Sequence, residues 1–251
     1  MKPVSKCVVL NITLALILPS LAVAQNSSGE DEWQFRLAPL FLWGMNIDGN
    51  TQIGRAEAPI DIEFDDVLEN IQAVFTIHFE ARKRDLTLFA EYQYVDLQPS
   101  FDTPVGPVAE LDQTIQMGEL GAAYKIATFG VTDLEVLAGA RFTRQDLDID
   151  LDPGPVILST DESWVDGFAG VRFYTYLNEK WTLSGRCDIG AGGSDFVWNI
   201  AAMVDYRFRD WGSAFFGYRW LDYDYESGSQ ADFYSYNALQ QGPLAGLAFY
   251  W

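Results

Sequence analysis

The chain has 251 residues, of which 49% are hydrophobic and 15% aromatic, so it is long and apolar enough to fold as a large domain rather than stay disordered. Acidic residues outnumber basic ones 36 to 16. The resulting net charge of −20 argues against nucleic acid as a partner, because phosphate binding needs a basic surface. Two cysteines are too few for a disulfide framework or a Cys-rich metal site.

The first segment, residues 1–24, has the three parts of a secretory signal peptide. Lys2 and Lys6 supply the charged start, an apolar stretch follows, and Ala22–Ala24 (AVA) forms a small-x-small cleavage site. The alternative is an N-terminal membrane anchor, for which the apolar stretch is short. We therefore expect cleavage after residue 24, followed by a short N-terminal segment over 25–32.

The remaining chain repeats an apolar–polar alternation, which predicts half-exposed β-strands. In LEVLAGARF (134–142), every second residue is apolar, and Glu135 and Arg141 lie on the opposite face. Long and short connections alternate, except that the connection at Gly193–Ser194 is short where a long one is expected. This alternation predicts an up-and-down transmembrane barrel with both termini at the short-turn end. Ten such runs lie near 33–43, 73–84, 86–98, 112–126, 132–146, 162–176, 181–192, 195–208, 213–224 and 235–251.

The apolar faces are free of charge over a length that suits a membrane. In the fifth run the apolar face covers nine residues and ends at Phe142, and a tilted spanning strand needs about 9–11. Asp146 then continues on the same face. Tryptophans are expected at the two membrane interfaces: Trp33, Trp181, Trp211 and Trp251 at the turn end, and Trp43, Trp164, Trp198 and Trp220 toward the loop end.

The polar faces carry acids and bases in near-equal number, as a narrow lumen requires because unpaired buried charge is costly. Ten strands enclose little more than their own side chains, so we expect a largely filled interior. Against a fully filled interior, inward-facing glycines such as Gly121 and Gly139 would leave space in the lumen for water or a small solute. The predicted lumen residues are Arg36, His78, Glu80, Arg82, Glu91, Glu119, Lys125, Glu135, Arg141, Asp166, Arg172, Arg186, Asp188, Asp205, Arg207 and Arg219.

The C-terminus, Leu247 to Trp251 (LAFYW), alternates apolar positions and ends on an aromatic residue. Together with the signal peptide and the ten runs, it resembles bacterial outer-membrane β-barrel proteins. The resemblance implies an all-β, up-and-down antiparallel barrel over 33–251, set in the outer membrane among its lipids. It also implies that Phe249 and Trp251 contact the barrel-assembly machinery, although most of these proteins end in Phe. A barrel of twelve strands remains an alternative, if the first loop adds two strands to the ten.

The first long loop, 44–72, is acidic and predicts local structure above the membrane. Met45–Ile53 and Pro59–Phe64 can extend as a small hairpin, and Asp65–Asn70 can form a helical turn. The third loop, about 146–162, is also acidic. Its alternate carboxylates suit a divalent cation such as Ca²⁺, but the glycine and glutamate of an EF-hand loop are missing, which favours a solvated rim. These candidate metal ligands are Asp146, Asp148, Asp150 and Asp152.

His78 is the only histidine and therefore the candidate general base of a barrel enzyme. The sequence has no Gly-x-Ser-x-Gly elbow, which favours a lumen histidine beside Glu80 instead. Cys187 lies on an apolar face and is expected to contact lipid as a small hydrophobic residue. No motif calls for a cofactor.

Three functions remain open at this point. The favoured one is a non-catalytic structural or surface-interaction barrel. The alternatives are a narrow, cation-preferring channel for small solutes and a barrel enzyme that acts on outer-membrane lipid or peptide through His78.

Overall fold

The computed structural model describes residues 32–98, 100–102, 108–152, 156–230 and 233–251. The predicted signal peptide, 1–24, lies outside the described residues. In the described part of the chain, no helix has the length and apolar character needed to cross a membrane.

The described residues form fourteen strands and one short helix. The elements are β1 (Gln34–Pro39), β2 (Leu42–Trp43), β3 (Asn46–Ile53), β4 (Ala56–Ile62), α1 (Phe64–Asn70), β5 (Ile71–Lys83), β6 (Leu86–Leu97), β7 (Ser100–Asp102), β8 (Val108–Phe129), β9 (Thr132–Asp152), β10 (Val156–Tyr176), β11 (Trp181–Gly192), β12 (Phe196–Arg209), β13 (Gly212–Ser227) and β14 (Tyr234–Tyr250).

Ten of these strands form a closed antiparallel barrel, as the sequence predicts. The order around the barrel is β1, β5, β6, then β8 through β14, and each strand pairs with its neighbour in the chain apart from the insertions near β1 and β6. The barrel closes where β1 pairs with β14, with Arg36 opposite Tyr250 and Leu37 opposite Phe249. The C-terminal residues thus complete the wall.

The first loop forms the predicted hairpin and helical turn. At Leu40, which has a φ of 57°, the first segment turns away from β5, and β2 and β3 continue beside β14. β3 and β4 form a hairpin outside the ten-stranded barrel, so twelve barrel strands do not occur among the described residues. Val67 of α1 packs against Val95 and Leu97 of β6.

Strands β8, β9 and β10 have 22, 21 and 21 residues, about twice what a tilted spanning strand needs. The prediction of a loop over about 146–162 is wrong. In the structure β9 and β10 stay paired there, with Asp146 opposite Asp161. The cause is that the two-residue alternation continues past the apolar band, so the ladder extends into water with acids on its outer face.

The outer wall carries exposed apolar residues, among them Leu120 at 68% exposure and Phe216 at 64%. Cys187 is exposed on this wall as a free thiol, as predicted. Trp33, Trp181, Trp211 and Trp251 are exposed at the turn end. So many exposed apolar side chains would be unfavourable in water, but they suit a surface that faces lipid.

Two tryptophans expected at the outer girdle lie inside the barrel. Trp164 is buried and stacks on Tyr225 with ring centroids 4.0 Å apart. The Trp43 ring lies under the Arg219 guanidinium at 4.9 Å. The prediction for both was wrong because a large aromatic ring suits a packed lumen as well as an interface. In β10, Trp164 shares its face with the inward Asp166, which gives its true direction.

Candidate functional site in the barrel lumen

The loop-end half of the lumen is filled by an aromatic cluster, which we name the aromatic plug. Apart from Met45, its buried members come from β3, β8, β10, β12, β13 and β14, and because β8 lies opposite β13 in the barrel, they meet across the bore rather than along one wall. Tyr223 contacts Trp164 edge-on at 5.7 Å and lies 2.9 Å, oxygen to oxygen, from the Thr143 hydroxyl. The plug consists of Met45, Ile47, Ile115, Met117, Trp164, Val197, Leu221, Tyr223, Tyr225, Tyr234, Tyr236 and Ala238.

Two inward glycines, Gly121 and Gly139, lie beneath phenylalanine rings, so they leave no free space for solute. A Cβ on Gly121 would collide with the Phe89 ring, and one on Gly139 would collide with the Phe168 ring and with backbone atoms. Phe89 and Phe168 in turn lie 6.3 Å apart, centroid to centroid. The suggestion of room at Gly121 and Gly139 is therefore wrong, because the glycines accommodate the large side chains of neighbouring strands.

Below the plug, buried ion pairs cross the lumen. Glu119 accepts hydrogen bonds from Arg141 Nε at 2.8 Å, Arg186 Nη1 at 2.8 Å and Arg219 Nη2 at 3.1 Å. Asp188 accepts from Arg141 Nη2 at 2.8 Å and from Arg186 Nε at 2.7 Å. Arg141 and the Asp188 side chain have no exposed surface. Charge-assisted bonds of this kind are among the strongest that side chains make.

A second group of ion pairs lies beside the first. Glu135 accepts from Arg82 Nη2 at 3.0 Å and from Arg172 Nε. Arg172 Nη1 also donates to Glu80 Oε1 at 2.9 Å. The Arg172 and Arg186 guanidinium groups lie 5.6 and 5.4 Å from the Phe89 centroid, so this ring packs between the two groups.

His78 joins the two groups. Its Nδ1 lies 2.9 Å from Glu91 Oε2, and its Nε2 lies 3.4 Å from Glu80 Oε1. Glu91 also accepts from Arg219 Nη1 at 2.7 Å. We name the assembly the lumen network: five arginines, five carboxylates and one histidine, namely Arg82, Arg141, Arg172, Arg186, Arg219, Glu80, Glu91, Glu119, Glu135, Asp188 and His78.

This geometry does not favour His78 as a general base. A base that activates a hydroxyl nucleophile directs one ring nitrogen at that hydroxyl. Here both ring nitrogens contact glutamate carboxylates, which hold the ring between two strands. The side chain is 16% exposed, so the imidazole is largely enclosed by the network.

Five of the predicted lumen residues lie outside the lumen network. Asp166 is fully buried near the loop end and accepts from the Ser194 backbone N–H at 2.7 Å. Lys125 lies at the turn end, 3.4 Å from Asp85. The other three, Arg36, Asp205 and Arg207, lie around Tyr250 near the turn end.

One residue that contacts the lumen network was not predicted from the sequence. Asn199 is buried, donates to Asp188 Oδ2 at 2.8 Å and accepts from Arg219 Nε at 2.8 Å. It faces the same side of β12 as Asp205, so its direction was readable from the alternation. Asn199 was not among the predicted lumen residues because these were selected by charge and its side chain is neutral.

Toward the turn end the lumen opens into a cavity of about 660 Å³, which we name the vestibule. Arg186 and Arg219 of the lumen network line the inner end of the vestibule, together with Asn199. Glu179 and Lys180, in the short turn between β10 and β11, line its outer end and are exposed. The interior is therefore filled at the centre and the loop end but not at the turn end.

The acidic residues proposed as metal ligands do not form a metal site where they can be described. Among the described residues, no group of three or more His, Cys, Asp or Glu side chains is placed to hold an ion. Asp146 instead pairs with Arg144, whose Nη2 lies 3.3 Å from its Oδ2. The side chains of Asp150 and Asp152 lie outside the described residues.

No protein-family model matches the sequence, and no curated protein matches it either. Solved structures do match the fold. The translocator domain of the autotransporter NalP from Neisseria meningitidis is 14% identical with a TM-score of 0.50, and the match covers 89% of each chain. The outer membrane protease OmpT from Escherichia coli is 9% identical with a TM-score of 0.52, covering 90% of this chain and 99% of that one.

At these identities the likeness shows the fold alone. The resemblance to outer-membrane β-barrel proteins is confirmed at that level, with a closed barrel of ten strands. The lumen contents are this chain's own and have to be interpreted from its residues.

Proposed function

We propose that this chain is a non-catalytic outer-membrane barrel protein with a closed lumen, which acts structurally or through its loop-end surface. The observation that carries the proposal is the pair of stacked layers in the bore, the aromatic plug above the lumen network. Together these layers leave the turn-end vestibule as the large open volume of the described interior.

The lumen network favours closure over conduction because its charges are already paired. A pore that conducts ions needs groups that can exchange partners with a passing ion, and sites that bind only weakly. Glu119 instead holds three guanidinium groups at once, and Arg141 bridges Glu119 to Asp188 with no solvent contact. Moving such groups apart would leave buried charges unpaired.

The outer surface supports membrane placement and a role at the loop end. Exposed apolar side chains form a band around the wall, and the band ends in acids on the outer faces of the extended strands. In β13, Phe216 and Trp220 lie on the outer face, followed by Asp222 and Asp224. The strands β8–β10 carry this acidic surface well past the band, where a partner could contact it.

Planar-bilayer conductance of the mature chain, 25–251, tests the closed lumen. The refolded protein, checked by its heat-dependent gel shift, is expected to give no discrete current steps. The double variant Arg141→Ala/Tyr223→Ala removes one side chain from each closing layer and is expected to give steps. A matched control, Phe142→Ala/Phe216→Ala, removes side chains from the outer wall and should stay silent.

Steady, cation-selective steps from the folded wild-type protein would contradict the proposal and favour the narrow channel. Silence from the wild type together with steps from the Arg141→Ala/Tyr223→Ala variant would support closure by these two layers.

A further inference from the structure

The vestibule has a cationic lining even though the chain as a whole is strongly acidic. Seven of its lining residues are Arg or Lys and four are Asp or Glu. Four of the arginines belong to the lumen network and are neutralised there. Outside the network the lining carries three cations, Arg36, Lys180 and Arg207, and two carboxylates, Glu179 and Asp205, so the cationic excess there is one.

Arg36 and Arg207 are held by an aromatic ring and a phenol rather than by carboxylates. Arg207 Cζ lies 4.3 Å from the centroid of the Tyr250 ring. Arg36 donates from Nε to the Tyr250 hydroxyl at 3.4 Å and lies 5.4 Å from the Phe215 centroid. Among the described residues, neither guanidinium lies within 4.0 Å of a carboxylate oxygen. The nearest acids are Glu80, opposite Arg36 in the β1–β5 ladder, and Asp205, whose Oδ2 lies 3.5 Å from the Tyr250 hydroxyl. Both therefore keep donors for a ligand while their planes are held in place.

The deeper wall of the vestibule is polar but already paired. Arg172 and Arg186 line it and make their ion pairs within the lumen network. Their Nη2 atoms have no hydrogen-bond partner but are enclosed by the protein, away from the cavity. The donors open to a ligand are therefore those of Arg36 and Arg207 at the outer end.

The remaining lining is apolar, and the volume suits a small molecule. Phe41 and Phe215 face the cavity together with Met203 and Leu244. Small-molecule pockets have about 300–1,000 Å³ and are mostly apolar with a few placed polar groups. An inorganic anion would leave this apolar lining uncovered.

We propose that the vestibule is a binding site, open at the short-turn end, for a small organic anion with an apolar ring or short chain. Arg36 and Arg207 bind the anionic group at the outer end, and the phenylalanine rings pack on the apolar part. In the outer membrane this opening faces the periplasm. The site does not depend on whether the lumen conducts.

Equilibrium binding to the folded full mature chain in a neutral detergent tests the site, with benzoate as the probe and benzamide as its uncharged counterpart. Benzoate is expected to bind one per chain, more weakly as salt is raised, and benzamide at least tenfold more weakly. Arg36→Gln/Arg207→Gln should weaken benzoate binding about a hundredfold, since each of the two lost charge-assisted bonds is worth roughly tenfold. Arg144→Gln, on the outer face of β9, is the control and should bind as the wild type does.

The position of the opening has its own test in a Cys187→Ser background. A bulky thiol reagent attached at Glu179→Cys, in the turn at the vestibule, should abolish benzoate binding. The same reagent at Ser159→Cys, at the loop end, should leave binding unchanged.

Three results would overturn the proposal: no saturable benzoate binding to folded wild type, equal affinity for benzamide, or full affinity in the Arg36→Gln/Arg207→Gln variant. Because conductance is not measured here, failure of this site is separate from failure of the closed-lumen proposal.

Discussion

Replacing Glu119 by glutamine gives the most direct measure of what the lumen network contributes. The Glu119 carboxylate is buried and shared by Arg141, Arg186 and Arg219 at 2.8, 2.8 and 3.1 Å. Glutamine keeps the shape but removes the charge and turns an NH₂ group toward guanidinium donors. The network then has four carboxylates for five arginines. Removing one partner from a buried ion pair costs about 3–5 kcal/mol, and we expect Glu119→Gln to lower the free energy of unfolding by about that amount.

Urea unfolding of the refolded barrel in lipid vesicles, followed by tryptophan fluorescence, measures this loss. The control is Asp161→Asn, which breaks the bidentate pair with Arg144 at an exposed site where the Asp161 side chain is 54% exposed. Exposed pairs contribute less than about 1 kcal/mol, so the control should stay near wild type. If Glu119→Gln loses no more than Asp161→Asn does, the network is not a main source of stability.

Two further predictions concern the outer face. Partial burial and the neighbouring Asp224 raise the pKa of Asp222, against an opposing hydrogen bond from Trp198. The folded state therefore binds the Asp222 proton more tightly than the unfolded state does. The stabilisation from this carboxyl group is present in acid and is lost as pH rises. Asp222→Asn should therefore raise the free energy of unfolding at neutral pH by a few tenths of a kcal/mol and leave it unchanged in acid. Urea unfolding at neutral and at acidic pH measures both values. A lower free energy of unfolding at neutral pH would contradict this prediction. Cys187 in vesicles should react with a lipid-soluble maleimide and not with a charged, impermeant one, whereas the unfolded chain reacts with both; fast reaction of the folded protein with the charged reagent would contradict a lipid-facing wall.

The inward or outward direction of each side chain was predictable because a strand alternates with a period of two. Once one residue of a run is assigned, the rest follow, and ten charged residues and His78, all predicted for the lumen, meet there in one network. The errors have the same source. Trp43 and Trp164 were placed by residue type rather than by alternation, and the carboxylates after Phe142 were interpreted as a loop although the alternation continued.

The open turn end was not predictable from the alternation. Which level of a barrel is filled depends on how side chains from opposite walls meet, and those walls are far apart in the sequence. Arg141 reaches both Glu119 and Asp188, whereas Arg36 and Arg207 meet only at Tyr250. Composition shows that acids and bases are both present in the lumen but not at which height each guanidinium lies.

Charge changes along the barrel axis in three steps. The outer surface at the loop end is acidic, and the lumen network is balanced at five to five. The rest of the vestibule lining has three cations, Arg36, Lys180 and Arg207, against two carboxylates, Glu179 and Asp205. Charge-selective pores carry rings of one sign, acidic for cations and basic for anions. Opposite signs at the two ends, with a neutralised layer between them, instead separate two surfaces that act independently. A closed centre and a binding site at the turn end are therefore compatible, because the layer that blocks passage also forms the inner wall of the vestibule.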